Sequence, residues 1–223
     1  MSNITVFVQA PEALRRDWQT TADSIEASDI GKDYTVCLQR EDQSCREHFM
    51  EMLSRMAECT TEMVLRLEDD VLVNRHILFN IDTWSERHQP QFGAGWAFDP
   101  GGTTLSTHDR MYRRPPSKSR WVSGSLMAYS QATLFYVRDL VRIRQLCWTW
   151  FSTRGGLKVG CEQDLAIAWA VNQMKRQICV HAPSLVEHRM DVKSLLDHKH
   201  VFEHGTSKGT FSVDWKRDVR KVG

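Results

Sequence analysis

Three short apolar runs, separated by two helical segments, open this chain, and the third runs straight into three adjacent carboxylates. Ile4-Thr5-Val6-Phe7-Val8 is β-branched and aromatic and stops short of Pro11, so it reads as a strand. Residues 15–28 carry Trp18, Ala22 and Ile25 at helical spacing. Tyr34-Thr35-Val36-Cys37-Leu38 is a second strand, and its polar exit ends in Ser44, with Glu47 three residues on as a capping box. The next helix presents Phe49, Met50, Leu53, Met56 and Ala57 on one face. Glu62-Met63-Val64-Leu65-Arg66-Leu67 is a third strand, ending on Glu68-Asp69-Asp70. Strands that alternate with helices pair in parallel, because a helical crossover returns the chain to the same edge; the expected class is α/β with helices on both faces of a mostly parallel sheet.

Downstream the pattern is looser. The spacing predicts a helix over 75–87, a strand over 92–98 that ends at Asp99-Pro100-Gly101-Gly102, and a surface loop over 103–120. A strand containing Gly124 is expected over 121–128, an amphipathic helix over 131–150, and a helix over 162–176 after Gly155, Gly156 and Gly160. Its apolar face includes Leu165, Ala168 and Trp169. Ile178-Cys179-Val180 is a last strand, leading through Pro183 to Val186-Glu187-His188, and the tail beyond is expected to be weakly structured. No repeat or linker divides the chain, so its 223 residues are expected to form one domain, with halves at about 1–75 and 76–190 and a tail at 191–223. A net charge of +1 supplies no global field toward nucleic acid or anionic membrane. No apolar stretch approaches the roughly 20 residues that span a bilayer, and residues 1–10 read as a short strand, so no signal peptide is expected. Six scattered cysteines without a CxxC pair point to buried thiols in a reducing compartment, hence a cytoplasmic protein or one inside the host cell of a virus.

The carboxyl end of a strand is where open α/β sheets bind ligands. Adjacent carboxylates there repel one another unless a cation intervenes, and hard oxygen donors suit Mg²⁺ or Mn²⁺ shared with substrate phosphates. A solvated acidic turn is the alternative.

The strand, the acidic triplet and the apolar Val71-Leu72-Val73 after it resemble the DxD region of GT-A fold glycosyltransferases. Three further stretches match in order: Val122-Ser123-Gly124-Ser125-Leu126, like the glycine-containing strand lining donor sugar and acceptor; Glu162-Gln163-Asp164, like the acidic segment opening a helix; and Val186-Glu187-His188, like the histidine that completes the metal site. The resemblance extends to small viral glycosyltransferases, both the capsid-glycosylating type of large algal viruses and phage enzymes that decorate DNA bases. It implies a single Rossmann-like GT-A domain, nucleotide-binding in its first half, that moves a sugar from a nucleoside diphosphate, UDP favoured, with Mn²⁺ or Mg²⁺. Asp70 and His188 would be the metal ligands, with Glu68 and Asp69 beside them for metal-bound water or donor ribose. The nucleoside would lie over Gln9, Ala10 and Pro11 at the first strand and Arg40 and Arg46 at the second, Arg46 meeting the diphosphate or remaining a surface residue. Gly124 would line the donor. Asp164 would be the general base or a carboxylate that orients the acceptor, with Glu162 its rival, although acidic residues at a helix start are equally accounted for by the helix dipole. The motif opens with Glu rather than Asp, so which carboxylate meets the metal stays open.

A nucleotidyltransferase would share the fold and the metal, but the exit of the first strand lacks the glycine-rich loop those enzymes use. A two-metal nuclease built from Asp70, Glu162 and Asp164, and a non-catalytic sugar- or nucleic-acid-binding module, are the other classes. The acceptor is a glycan, a protein or a hydroxylated base in DNA; Arg110, Arg113, Arg114, Lys118 and Arg120, flanked by Tyr112 and Trp121, suit a phosphate-bearing acceptor, or form an ordinary solvated loop.

Overall fold

Strand β1 (Ile4–Ala10) lies between β2 (Tyr34–Leu38) and β3 (Met63–Glu68) and is parallel to both. Helices α1 (Gln19–Glu26) and α2 (Cys45–Ala57) make the two crossovers. The sequence dictates α2 closely: the Ser44 hydroxyl accepts from the Glu47 N–H at 3.2 Å, and the Glu47 carboxylate returns to the Ser44 N–H at 2.8 Å. The computed structural model describes residues 3–10, 18–97, 119–122, 131–153, 163–189 and 211–217. Beyond β3 come β4 (Val71–Val73), α3 (Ile77–Asp82), a 3-10 turn at Ser85–His88 and β5 (Phe92–Trp96). The chain continues through β6 (Arg120–Val122), β7 (Ala132–Tyr136), α4 (Val137–Thr153), α5 (Gln163–Gln173), β8 (Gln177–Val180) and β9 (Val186–His188).

The seven-stranded sheet has the order β2-β1-β3-β7-β5-β8-β6, and β4 pairs with β9 in a separate two-stranded ribbon. Strands β7 and β6 run against the other five. The protein is therefore α/β and Rossmann-like, with a mixed sheet in which most strands share one direction. Two apolar layers cover it. On one face α2, α4 and α5 bury Phe49, Met52, Leu53, Met56, Leu140, Ile143 and Ile167 against Val64, Phe135 and Ile178. On the other, Ile25, Ile77, Ile81 and Trp84 close over Val6, Val8, Leu65, Leu67 and Leu134. Alternate residues of β1 and β3 feed opposite layers, as a period-two backbone requires. Trp84 lies so close to β5 that a Cβ on Gly95 would stand 2.7 Å from its ring.

Three expectations are corrected. The helix expected over 131–150 begins only at Val137, because residues 132–136 form β7, which is wholly buried between β3 and β5. The expected helix over 75–87 is a six-residue helix and a 3-10 turn. The tail is not loose throughout: the Asn74 amide donates to Ser212 O at 2.6 Å and Trp215 O at 3.0 Å, and the Arg217 N–H donates to Asn80 Oδ1 at 2.9 Å. Helix α5 buries Ala166, Ile167, Ala170 and Val171 besides Ala168, while Leu165 and Trp169 are only partly covered. Cys37, Cys147 and Cys179 are buried free thiols, and burial pushes Cys147 up to about 12, so it stays protonated and inert. Among the described residues no helix is long and apolar enough to cross a membrane.

Candidate functional site

The acidic triplet sits where β1, β2 and β3 all end, at the carboxyl edge of the parallel part of the sheet. Its three members do different things. Glu68, the last residue of β3, makes an ion pair with Arg66 at 2.9 Å. Asp69 is buried, and its carbonyl accepts from the Thr21 hydroxyl of α1 at 2.7 Å. Asp70 is buried as well and turns to β9, where its Oδ2 lies 3.0 Å from His188 Nε2.

That last contact is a product of strand register. Val71 pairs with His188, Leu72 with Glu187 and Val73 with Val186, and the Arg189 N–H donates to Asp70 O at 2.7 Å. The ribbon thus brings residues 118 positions apart onto one spot. A carboxylate and an imidazole suit Mn²⁺ or Mg²⁺ in kind, and two protein donors suit an ion that takes its remaining ligands from phosphate and water. No group of three or more His, Cys, Asp or Glu able to hold a metal occurs among the described residues, so nothing there resembles a closed structural cage.

The other sequence-derived positions divide. Gln9 is buried at the end of β1, and Ala10 beside it accepts from the Gln39 N–H at 2.9 Å. Arg40 turns away from the sheet onto α2, where it pairs with Glu51 at 2.8 Å; Arg46 stacks 4.8 Å from the Phe151 ring on α4. The Glu51 carboxyl is held down to about 2 by hydrogen bonds from Gln43 and Arg55, with Arg40 adding to them. Asp164 stands half-buried in the first turn of α5, and its Oδ1 accepts from the Leu165 N–H at 2.9 Å. Pro11, Gly124, Glu162 and residues 103–118 of the basic loop lie outside the described residues; Arg120 opens β6.

Sequence reasoning passed over Arg66. It is fully buried in mid-strand, with its guanidinium 5.6 Å from the Phe49 ring. Nε and Nη2 donate to Gln9 Oε1 at 2.8 and 2.6 Å, and Nη2 also reaches Gln163 Oε1 at 2.5 Å. One cation therefore joins β1, β3 and the start of α5, and beside it the candidate base Asp164. The signal was present: a strand buried on both faces has no room for a charge without built partners. Arg189 was also missed; it is buried, with Nη1 3.5 Å from the Thr21 hydroxyl.

No family model matches this chain, and no curated protein matches it in sequence. Among solved structures it is similar to a glycosyltransferase involved in the glycosylation of the major capsid of PBCV-1, at 13% identity over 79% of this chain and 81% of that one, with a TM-score of 0.47. It is also similar to a cytidylyltransferase from Leptospira borgpetersenii serovar Hardjo-bovis, at 10% identity over 66% of each chain, with a TM-score of 0.41. Likenesses at this level concern the course of the backbone and assign no residue a role.

Proposed function

We propose that the chain is a divalent-metal-dependent glycosyltransferase, moving a sugar from a nucleoside-diphosphate sugar, UDP favoured, to a hydroxyl of a glycan, a protein or a modified DNA base. The observation that carries this reading is the Asp70–His188 contact at the carboxyl edge of β3. A carboxylate and an imidazole supplied by two different elements, beside the ends of three parallel strands, suit a cation held jointly with a diphosphate. When bound, Mn²⁺ or Mg²⁺ would neutralise charge growing on the departing nucleoside diphosphate. The chain's own residues supply the rest. Asp70 and His188 hold the cation, Gln9 and Ala10 border the nucleotide, and Asp164 at the head of α5 takes the acceptor hydroxyl's proton.

The test is donor binding and slow donor hydrolysis across a panel of nucleotide sugars, with Mn²⁺, with Mg²⁺ and with chelator. Chelation is expected to remove both and added metal to restore them. Asp70→Asn, which relieves repulsion within the triplet, is expected to fold and to lose both. Full donor hydrolysis in chelator, or metal dependence unchanged in both Asp70→Asn and His188→Ala, would overturn the reading.

A further inference from the structure

Residues 211–217 form a strap against α3 and the turn that follows β4, and the body of the protein holds them mostly by their backbone. The Asn74 amide gives both N–H groups to strap carbonyls, Ser212 O at 2.6 Å and Trp215 O at 3.0 Å. Asn80 donates to Trp215 O at 3.1 Å and accepts from the Arg217 N–H at 2.9 Å, while the Arg75 N–H donates to Val213 O at 2.8 Å. Both asparagines are fully buried, and Asn74 Oδ1 is occupied as well, by the His76 N–H and by Asn80 Nδ2. A carboxamide has two donors and two acceptor lone pairs, so Asn74 is saturated only while the strap is docked. Side chains add anchors: the Trp215 ring stands edge-on to His181 at 5.8 Å, Lys216 Nζ lies 4.4 Å over the Phe79 ring, and Arg217 Nη1 donates to Thr83 O at 2.5 Å.

The strap grips one end of the ribbon whose other end is the Asp70–His188 pair. Asn74 follows β4 directly, and its own N–H donates to Leu185 O at 2.9 Å, one rung beyond the Val73–Val186 pair. At the opposite end the Arg189 N–H donates to Asp70 O at 2.7 Å, beside the contact of Asp70 with His188 at 3.0 Å. Three residue pairs lie between those rungs, and a two-stranded ribbon so short does not hold its register unaided. A slip of one residue turns each side chain to the other face, which would carry His188 away from Asp70. Leu185 is tied to the main sheet, its N–H donating to Ala97 O at 2.7 Å, so what the strap secures is the position of β4 on β9. Helix α1 is the competing support: Ser24 Oγ accepts from the Val73 N–H at 2.8 Å, and the Thr21 hydroxyl donates to Asp69 O at 2.7 Å. We infer that residues 211–217 are a clamp that keeps β4 in register with β9 and thereby Asp70 against His188, with Asn74 as the positioning residue. The inference rests on the proposed function only for the metal that the pair would hold.

The test uses the full chain with substitutions in the strap alone: Trp215→Ala, Arg217→Pro, which removes the N–H given to Asn80, and the two combined. Amide hydrogen exchange is followed without metal. The Arg75 N–H reports docking of the strap, the Arg189 N–H reports the far end of the ribbon, and the Gln39 N–H, bonded to Ala10 O at 2.9 Å, reports the main sheet. In the combined variant Arg75 and Arg189 are expected to exchange about tenfold faster, the worth of one to two hydrogen bonds, and Gln39 at the wild-type rate. Trp215→Phe, which keeps a ring beside His181, is expected to keep near-wild-type protection at both. Wild-type exchange at Arg189 when Arg75 has become fast overturns the clamp, because α1 then holds the ribbon alone. Equal acceleration at Gln39 overturns it too, since the strap then stabilises the whole fold and not the ribbon. Protection of Arg75 kept in the combined variant does the same, because these contacts are then not what docks the strap.

Mn²⁺ affinity, read by water-proton relaxation, is expected to fall in step with Arg189 protection. A wild-type protein that takes up no Mn²⁺ defeats the metal reading and leaves the exchange result to decide the clamp. Wild-type Mn²⁺ affinity in a variant whose Arg189 exchange is fast overturns the positioning role.

Discussion

His181 sets up a titration of the fold itself. It comes directly after β8, is fully buried, and is gripped edge-on by Trp84 at 5.0 Å and by Trp215 of the docked tail at 5.8 Å. Nδ1 lies 2.7 Å from Pro183 O, and a carbonyl can only accept, so Nδ1 carries the proton. Nε2 is then a bare lone pair, buried with no hydrogen-bond partner among the described residues. Protonating it would bury an unpaired charge, and burial accordingly lowers the pKa from 6.5 to about 4, with the Arg217 charge pushing the same way and the Pro183 carbonyl and Glu86 opposing. The depressed group is a base, so between those two values the unfolded chain binds a proton that the folded chain does not. Stability is complete above pH 6.5 and is lost as pH falls toward 4. Integrated over that window the loss is about 2 kcal/mol at pH 5 and about 3 kcal/mol at pH 4. For a chain of this length that lowers the melting temperature by about 4–8 °C between pH 7 and pH 5. The assay is differential scanning calorimetry across that range on the wild type and on His181→Asn, whose amide donates to Pro183 O and does not titrate in this window. The variant is expected to melt lower throughout but with a shallower pH slope. Some slope survives, because burial also lowers the pKa of His48. Parallel melting curves in the two proteins would refute the role given to His181.

Arg66→Met removes the one donor that Gln9 and Gln163 share, and although it relieves a buried charge, it should cost about 2–4 kcal/mol in urea unfolding at unchanged m-value; a change under about 0.5 kcal/mol would mean the amides simply turn to water. Gly95→Ala drives a methyl to 2.7 Å from the Trp84 ring, which is fully buried and cannot retreat, so a loss of about 1–3 kcal/mol is expected, read in the same unfolding experiment.

The sequence disclosed those parts of the molecule in which local pattern and tertiary role coincide. The first three strands and α2 are delimited by Pro, polar exits and a capping box, and each stands where it was expected. Strand β7 was hidden because it passes into α4 without a turn residue: Tyr136 ends the strand and Val137 starts the helix. All five of its residues are buried, so it lacks the alternation that marks a strand with one wet face. The approach of Asp70 to His188 depends on the register of two three-residue strands, which no local pattern encodes. The Gln9–Arg66–Gln163 contact unites three distant positions, each unremarkable on its own.

Clustered carboxylates at a strand end were expected to repel one another until a cation arrived, and two of the three already face a partner within the protein. Glu68 is neutralised by Arg66 at 2.9 Å. Asp70 lies 3.0 Å from an imidazole, and the Arg189 N–H reaches its carbonyl. Strand pairing continues on both sides of the triplet, through β3 with β1 and β7 and through β4 with β9. On the proposed reading, two protein donors would leave most of an octahedral shell to other ligands, and the ion would bind weakly alone and tightly with a diphosphate, each raising the other's affinity by the same factor. The members of the acidic triplet thus face different partners. Asp70 turns to His188, while Glu68 stays with Arg66.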